Sequence, residues 1–170
     1  TPSATHRGPG ATPRRDATTV TLERAVLAAN AEVAARNRAF LAARRVTAIN
    51  LMASPGAGKT TVLERTIAEL RASLEIRVIE GDQATDRDAA RIRAAGAVAL
   101  QIETGTGCHL DAPMIARALP RLDPPPDSLL VVENVGNLVC PALFDLGESA
   151  RVLVASTTEG DETPLKYAHM

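Results

Sequence analysis

From Val46 to Met52 the chain runs without a charge, and from Val62 to Leu70 apolar positions recur at helical spacing. The first pattern predicts a strand buried on both faces, the second an amphipathic helix. The alternation then repeats: helix near Thr60 to Ser73, strand near Ile76 to Glu80, helix near Asp86 to Ala95, strand Val98 to Ile102, helix Ala112 to Leu119, strand Leu129 to Glu133 and strand Arg151 to Ala155. Five apolar strands with helices between them imply an α/β domain, a mostly parallel sheet covered on both faces. Ligands of such sheets sit at the carboxyl ends of the strands. Upstream, Leu22, Val26, Val33, Phe40 and Leu41 in an Ala-rich run without Gly or Pro predict one long, weakly amphipathic helix that needs a partner. Residues 1–17 hold too little apolar surface to fold. The three prolines between Asp123 and Asp127 read as a stiff surface linker and nothing more. The organisation expected is a basic arm over 1–20, a helix over 21–45 and one domain over 46–170.

Between the first strand and helix stands Ala53 to Thr61, spelled Ala-Ser-Pro-Gly-Ala-Gly-Lys-Thr-Thr. A strand, a glycine-rich loop and a helix form a phosphate cradle, because several backbone N–H groups must turn toward one anion. Gly56, Ala57 and Gly58 supply the curl, Lys59 reaches the outer phosphates, and Thr60 with Thr61 opens the helix, Thr60 as a magnesium ligand. Ala53 replaces the first glycine of the usual G-x-x-x-x-G-K-[ST] pattern. Lys59 is one of two lysines against seventeen arginines, and a compact ammonium fits among phosphate oxygens where a planar guanidinium does not.

Composition narrows the picture. With two Phe, one Tyr and no Trp, the core must come from Leu, Val, Ile and Ala. The net charge of −1 divides into an arginine-rich segment up to residue 45 and an acidic body. No aromatics interleave the arginines, which argues against nucleic acid. No run approaches the roughly 18 apolar residues of a membrane span, and no secretory leader opens the chain, so no membrane association and a cytoplasmic location are expected. Two cysteines there read as thiols or ligands rather than a disulfide.

The remaining strand ends carry polar groups. Asp82, just past the second strand, is the first choice for holding magnesium or its water. Asp86 and Asp88 follow, with capping of the next helix as the alternative for Asp82 and Asp86. Glu133 ends an apolar strand as a Walker B acid does, although that acid is usually Asp. Cys108 and His109 follow the third strand and Cys140 the fourth, giving two thiolates and an imidazole, a ligand set for zinc or nickel. A fourth ligand would come from water, another side chain or a second subunit.

Together, Ser54 to Thr61, Gly81-Asp82, Thr85 to Ile92, Glu103 to Asp111 and Glu133 to Pro141 resemble the hydrogenase nickel-incorporation GTPases of the HypB family, from about residue 24 to residue 167 and including Asn37-Arg38. The resemblance implies a P-loop NTPase of the SIMIBI-type G domain with an N-terminal helical arm. It implies a GTPase that cycles between GTP and GDP with Mg2+, acts as a homodimer, and couples dimerisation to nickel delivery into the large subunit of nickel-iron hydrogenase. Lys59, Asp82 and Glu133 would carry catalysis, and Cys108, His109 and Cys140 would hold Ni2+ or Zn2+ near the dimer interface. A HypA-type nickel-binding accessory protein would be the partner. The related urease accessory GTPase typically shows Cys-Pro-His where this chain has contiguous Cys108-His109. Two departures are visible: residues 1–20 hold no Cys and only His6, against nickel storage by the arm, and the Asn-Lys-x-Asp motif that reads guanine in the family does not occur. An incomplete chain is therefore expected. The alternatives are a urease-type nickel GTPase or a catalytically impaired metal-binding dimer.

Overall fold

Strand β1 (Thr47–Ala53) leads through the glycine-rich loop into helix α2 (Lys59–Leu70), and both take their places because they are apolar on the faces they bury. The computed structural model describes residues 17–82 and 87–159. Ahead of β1 lies α1 (Ala17–Ala43); after α2 come β2 (Ile76–Asp82), α3 (Arg87–Ala95), β3 (Val98–Glu103), α4 (Ala112–Leu122), β4 (Leu129–Glu133), α5 (Cys140–Leu143) and β5 (Ala150–Val154). A 3-10 turn at Thr157–Glu159 follows. The strands form one sheet in the order β3-β2-β4-β1-β5. Every pairing is parallel, so all five carboxyl ends share one edge.

Alternation along β4 divides the core. Leu130 and Val132 point into a cluster with Leu41, Ile79, Leu110, Ile115, Leu119 and Leu146, under α1 and α4. Val131 points the other way, to Leu51, Leu63, Ile67, Val78 and Ile92, under α2 and α3. The sheet is thus covered on both faces, as the unbroken apolar runs require.

Helix α1 starts at Ala17, five residues before the expected Leu22, so residues 17–20 are helical where an unstructured arm is expected. Its partner is α4. Residues 1–16, 83–86 and 160–170 lie outside the described residues, and with them most of the expected arm, Thr85, Asp86 and most of the final acidic segment. Helix α4 runs past Leu119, through Pro120, to Leu122. Only Arg121 and Leu122 follow that proline in the helix, Leu119 and Leu122 are buried, and Asp123 N–H closes the end on Leu119 O at 2.9 Å.

The proline-rich linker does more than connect. Arg44 bonds to Asp123 and Arg45 to Asp127, while Asp127 N donates to Arg44 O at 3.1 Å. The linker thereby grips the end of α1, mainly through exposed ion pairs of small individual worth. No helix among the described residues is long and apolar enough to cross a membrane.

Candidate functional site

Two polar constellations occupy the carboxyl edge. In the first, Gly56 (φ +80°) and Gly58 (φ +93°) adopt left-handed backbone that places the loop at the start of α2. Gly58 is the N-cap and makes no side-chain capping bond, which leaves the first N–H groups of the helix without a side-chain cap. Ala53, at the motif's missing glycine, is a fully buried β1 residue in register with Val154. Its strand backbone has no need of positive φ, which is why alanine serves there.

Thr60 Oγ1 donates to Glu133 Oε1 at 2.6 Å, and Lys59 Nζ stands 3.3 Å from the same oxygen. Glu133 is 1% exposed, and its other oxygen has no hydrogen-bond partner among the described residues. Beside it in register, Glu80 is also buried, and its Oε2 has no hydrogen-bond partner among the described residues. Burial first, then Glu133, Asp82 and Asp88, push the Glu80 carboxyl up to about 8, against an opposing pull from Lys59. Asp82 ends β2 at the same edge. Orphaned carboxylate oxygens beside an ammonium and a threonine hydroxyl fit a hard divalent cation such as magnesium. A cavity of about 240 Å³ is lined by Ser54, Gly56 to Thr61, Asp88 and Arg91. Asp88 thus lies on the phosphate side, bound to Arg91, which also holds Glu64 and Thr61.

The second constellation is the sulfur and nitrogen cluster. Ligand atoms of Cys108, His109 and Cys140 all lie within 4.8 Å of one another, with Cys108 Sγ 3.6 Å from His109 Nδ1. Hydrogen bonding to Cys108 and burial push the Cys140 thiol up. Burial lowers the His109 imidazole, against Asp111, so it favours the neutral, ligating form. His109 stacks on Phe144 with centroids 4.0 Å apart. All three half-buried residues suit a thiophilic cation.

Sequence reasoning missed what joins the two constellations. Asn134, next to Glu133, accepts from Leu110 N at 3.1 Å and from Val135 N at 3.0 Å, and donates to Asn50 Oδ1 at 3.1 Å. At the other end of the ligand loop, Thr104 N and Oγ1 donate to Asp82 O at 2.9 and 3.3 Å. Segment 104–110, carrying Cys108 and His109, therefore hangs between the ends of β2 and β4. Its Leu110 is fully buried, against Gly81, where a Cβ would come within 2.8 Å of the leucine side chain. The loop after β4 also touches the phosphate loop: a Cβ on Gly136 would lie 3.2 Å from Pro55 Cα.

Residues 47–157 match the family model of the CobW/HypB/UreG nucleotide-binding domain. The hydrogenase maturation factor HypB of Escherichia coli (strain K12) is 54% identical over 168 residues, 99% of this chain and 57% of that protein. That of Azotobacter vinelandii is 55% identical over 149 residues, 88% of this chain and 49% of that protein. The chain thus spans about half the length of these curated relatives. Among solved structures, HypB from Archaeoglobus fulgidus superposes with a TM-score of 0.77 at 42% identity, covering 84% of this chain and 70% of the other. HypB from Helicobacter pylori in complex with nickel gives 0.76 at 41% identity, covering 83% and 66%. With the phosphate loop, the buried acids and the fold in agreement, this chain belongs to the CobW/HypB/UreG family of nucleotide-binding domains, in its HypB branch.

Proposed function

We propose that this chain is the catalytic part of a GTP-binding and GTP-hydrolysing metallochaperone that couples nucleotide state and dimerisation to nickel delivery during nickel-iron hydrogenase maturation. The observation that carries the proposal is segment 104–110, which bears two metal ligands and is tied at one end to Asp82 O and at the other to Asn134. Whatever repositions the ends of β2 and β4 around a phosphate repositions Cys108 and His109.

In this reading the N–H groups at the start of α2 take the phosphate oxygens and Lys59 neutralises their charge. Thr60, Asp82 and Glu133 hold magnesium, which when bound spreads the phosphate charge. Glu133, already bonded to Thr60 and close to Lys59, keeps both oriented. Nickel is the cargo, held by Cys108, His109 and Cys140, with zinc as an alternative occupant. Three ligands leave a position for an incoming donor. Val139 and Leu143, 49% and 45% exposed, flank Cys140 and favour a protein contact there, with a second copy in the homodimer or with a HypA-type donor. The hydrogenase large subunit is the acceptor.

The test is nickel affinity with GDP against a non-hydrolysable GTP analogue. A difference is expected, and equal affinities in the two states would refute the coupling. Lys59→Ala should weaken nucleotide binding by about 2–5 kcal/mol, roughly thirtyfold or more, while leaving the metal site intact.

A further inference from the structure

The three proposed nickel ligands sit on two loops from different strands, so their separation depends on what holds those loops together. Helix α1 does so with two buried amides. Asn30 Oδ1 accepts from Ala112 N at 2.8 Å, and its Nδ2 donates to Asp145 O at 2.7 Å. Asn37 Nδ2 donates to Ala112 O at 2.9 Å and to Leu146 O at 3.0 Å. Ala112 closely follows His109 in the chain, and Asp145 and Leu146 closely follow Cys140 and the Phe144 ring that stacks on His109. Each amide therefore bridges both ligand-bearing loops.

The surroundings reinforce the bridge. Asn30 and Asn37 are 6% and 3% exposed, which protects these bonds from exchange with water. A Cβ on Gly147 would come within 2.7 Å of Ala34 O and 2.8 Å of Asn37 Cβ, so the second loop rests directly on the helix. Arg38 closes the outer side with bonds of 2.8 and 2.9 Å to Asp145. Two turns apart, the asparagines share one stripe of an Ala-rich helix. Apolar residues there would pack without the desolvation cost of an amide; what they lack is direction.

We propose that Asn30 and Asn37 are positioning residues of the Cys108, His109 and Cys140 site: they set the distance between its two loops, and hence its metal affinity and geometry. The inference rests on the metal reading of that cluster, and its experiment separates the two. Cobalt(II) is the probe, titrated into the whole protein, because thiolate-to-cobalt absorption reports sulfur ligation and the visible bands report geometry. If wild type gives no such absorption, or if Cys108→Ala and Cys140→Ala keep it, the metal reading and this inference both fall. If those controls behave, Asn30→Ala/Asn37→Ala should bind cobalt about tenfold or more weakly, with altered visible bands and unchanged GDP affinity. Asn30→Asp, which keeps the acceptor for Ala112 N and loses the donor to Asp145 O, should lie between. An unchanged cobalt affinity and spectrum, even with a lowered melting temperature, would overturn the positioning role alone. Should the double variant not fold, the same titration on Asn30→Asp and on the exposed Arg38→Ala decides, with about threefold weakening expected and no change in either overturning it.

Discussion

Glu80 has the most unusual environment of any carboxyl described here: buried, in register with Glu133, and holding its proton up to about 8. An unfolded glutamate releases that proton near 4.5, so between these values the folded chain binds more protons than the unfolded one. Stability contributed by this group is full below the lower value and is lost as pH rises to the upper. The metal-free, nucleotide-free protein should therefore melt at a falling temperature from about pH 5 to pH 8, and Glu80→Gln should flatten that slope. A slope unaffected by the substitution would place the proton elsewhere. Lys59, Thr60, Glu133 and the Cys-His cluster were legible in the sequence because their chemistry is spelled by residue type at strand ends. Glu80 was not, since nothing in a string tells that two glutamates of separate strands become neighbours. Asn30 and Asn37 left a fainter signal, two amides two turns apart in an otherwise Ala-rich helix, which a pattern of apolar positions passes over.

Elements were legible where an apolar run was long enough to have a period. All five strands fall within two residues of expectation, whereas four-residue α5, opening at Cys140-Pro141, is too short to show any. The linker failed differently: three prolines announce stiffness and say nothing about the flanking acids, which acquire partners only when α1 arrives. Gly147 belongs to this level because it mates a loop with a helix. At φ +94° and with backbone within 3 Å of where a Cβ would stand, Gly147→Ala should cost at least about 2 kcal/mol and lower the melting temperature by roughly 4–8 °C. A neutral result in thermal denaturation would mean that this loop lifts freely off the helix.

Across the whole molecule, strand order brings both sites to one edge, and parallel pairing was readable from the uniform hydrophobicity of the strands. The contacts that tie them together were not, because they are hydrogen bonds between residues far apart in sequence. Asn134 is the shortest such connection, one residue from Glu133 and bonded to the amide that follows His109. If nucleotide state changes nickel affinity by the 5- to 150-fold range common for coupled sites, Asn134→Ala should shrink that factor to about twofold while both ligands still bind. Paired calorimetric titrations, nickel with and without nucleotide and then the reverse, measure the factor from both directions. Persistence of the full factor would move the linkage to Thr104 and Asp82.

Leu110 adds a kinetic consequence. Because this side chain is sunk into the core directly after His109, the peptide carrying Cys108 and His109 cannot swing outward without dragging a leucine into solvent. If Cys108, His109 and Cys140 hold nickel as proposed, its release should begin with attack by an incoming group at the position that three ligands leave open. The off-rate of nickel should climb with the concentration of a competing small thiol, as followed by stopped-flow absorbance, and a rate indifferent to that competitor would point to spontaneous dissociation instead.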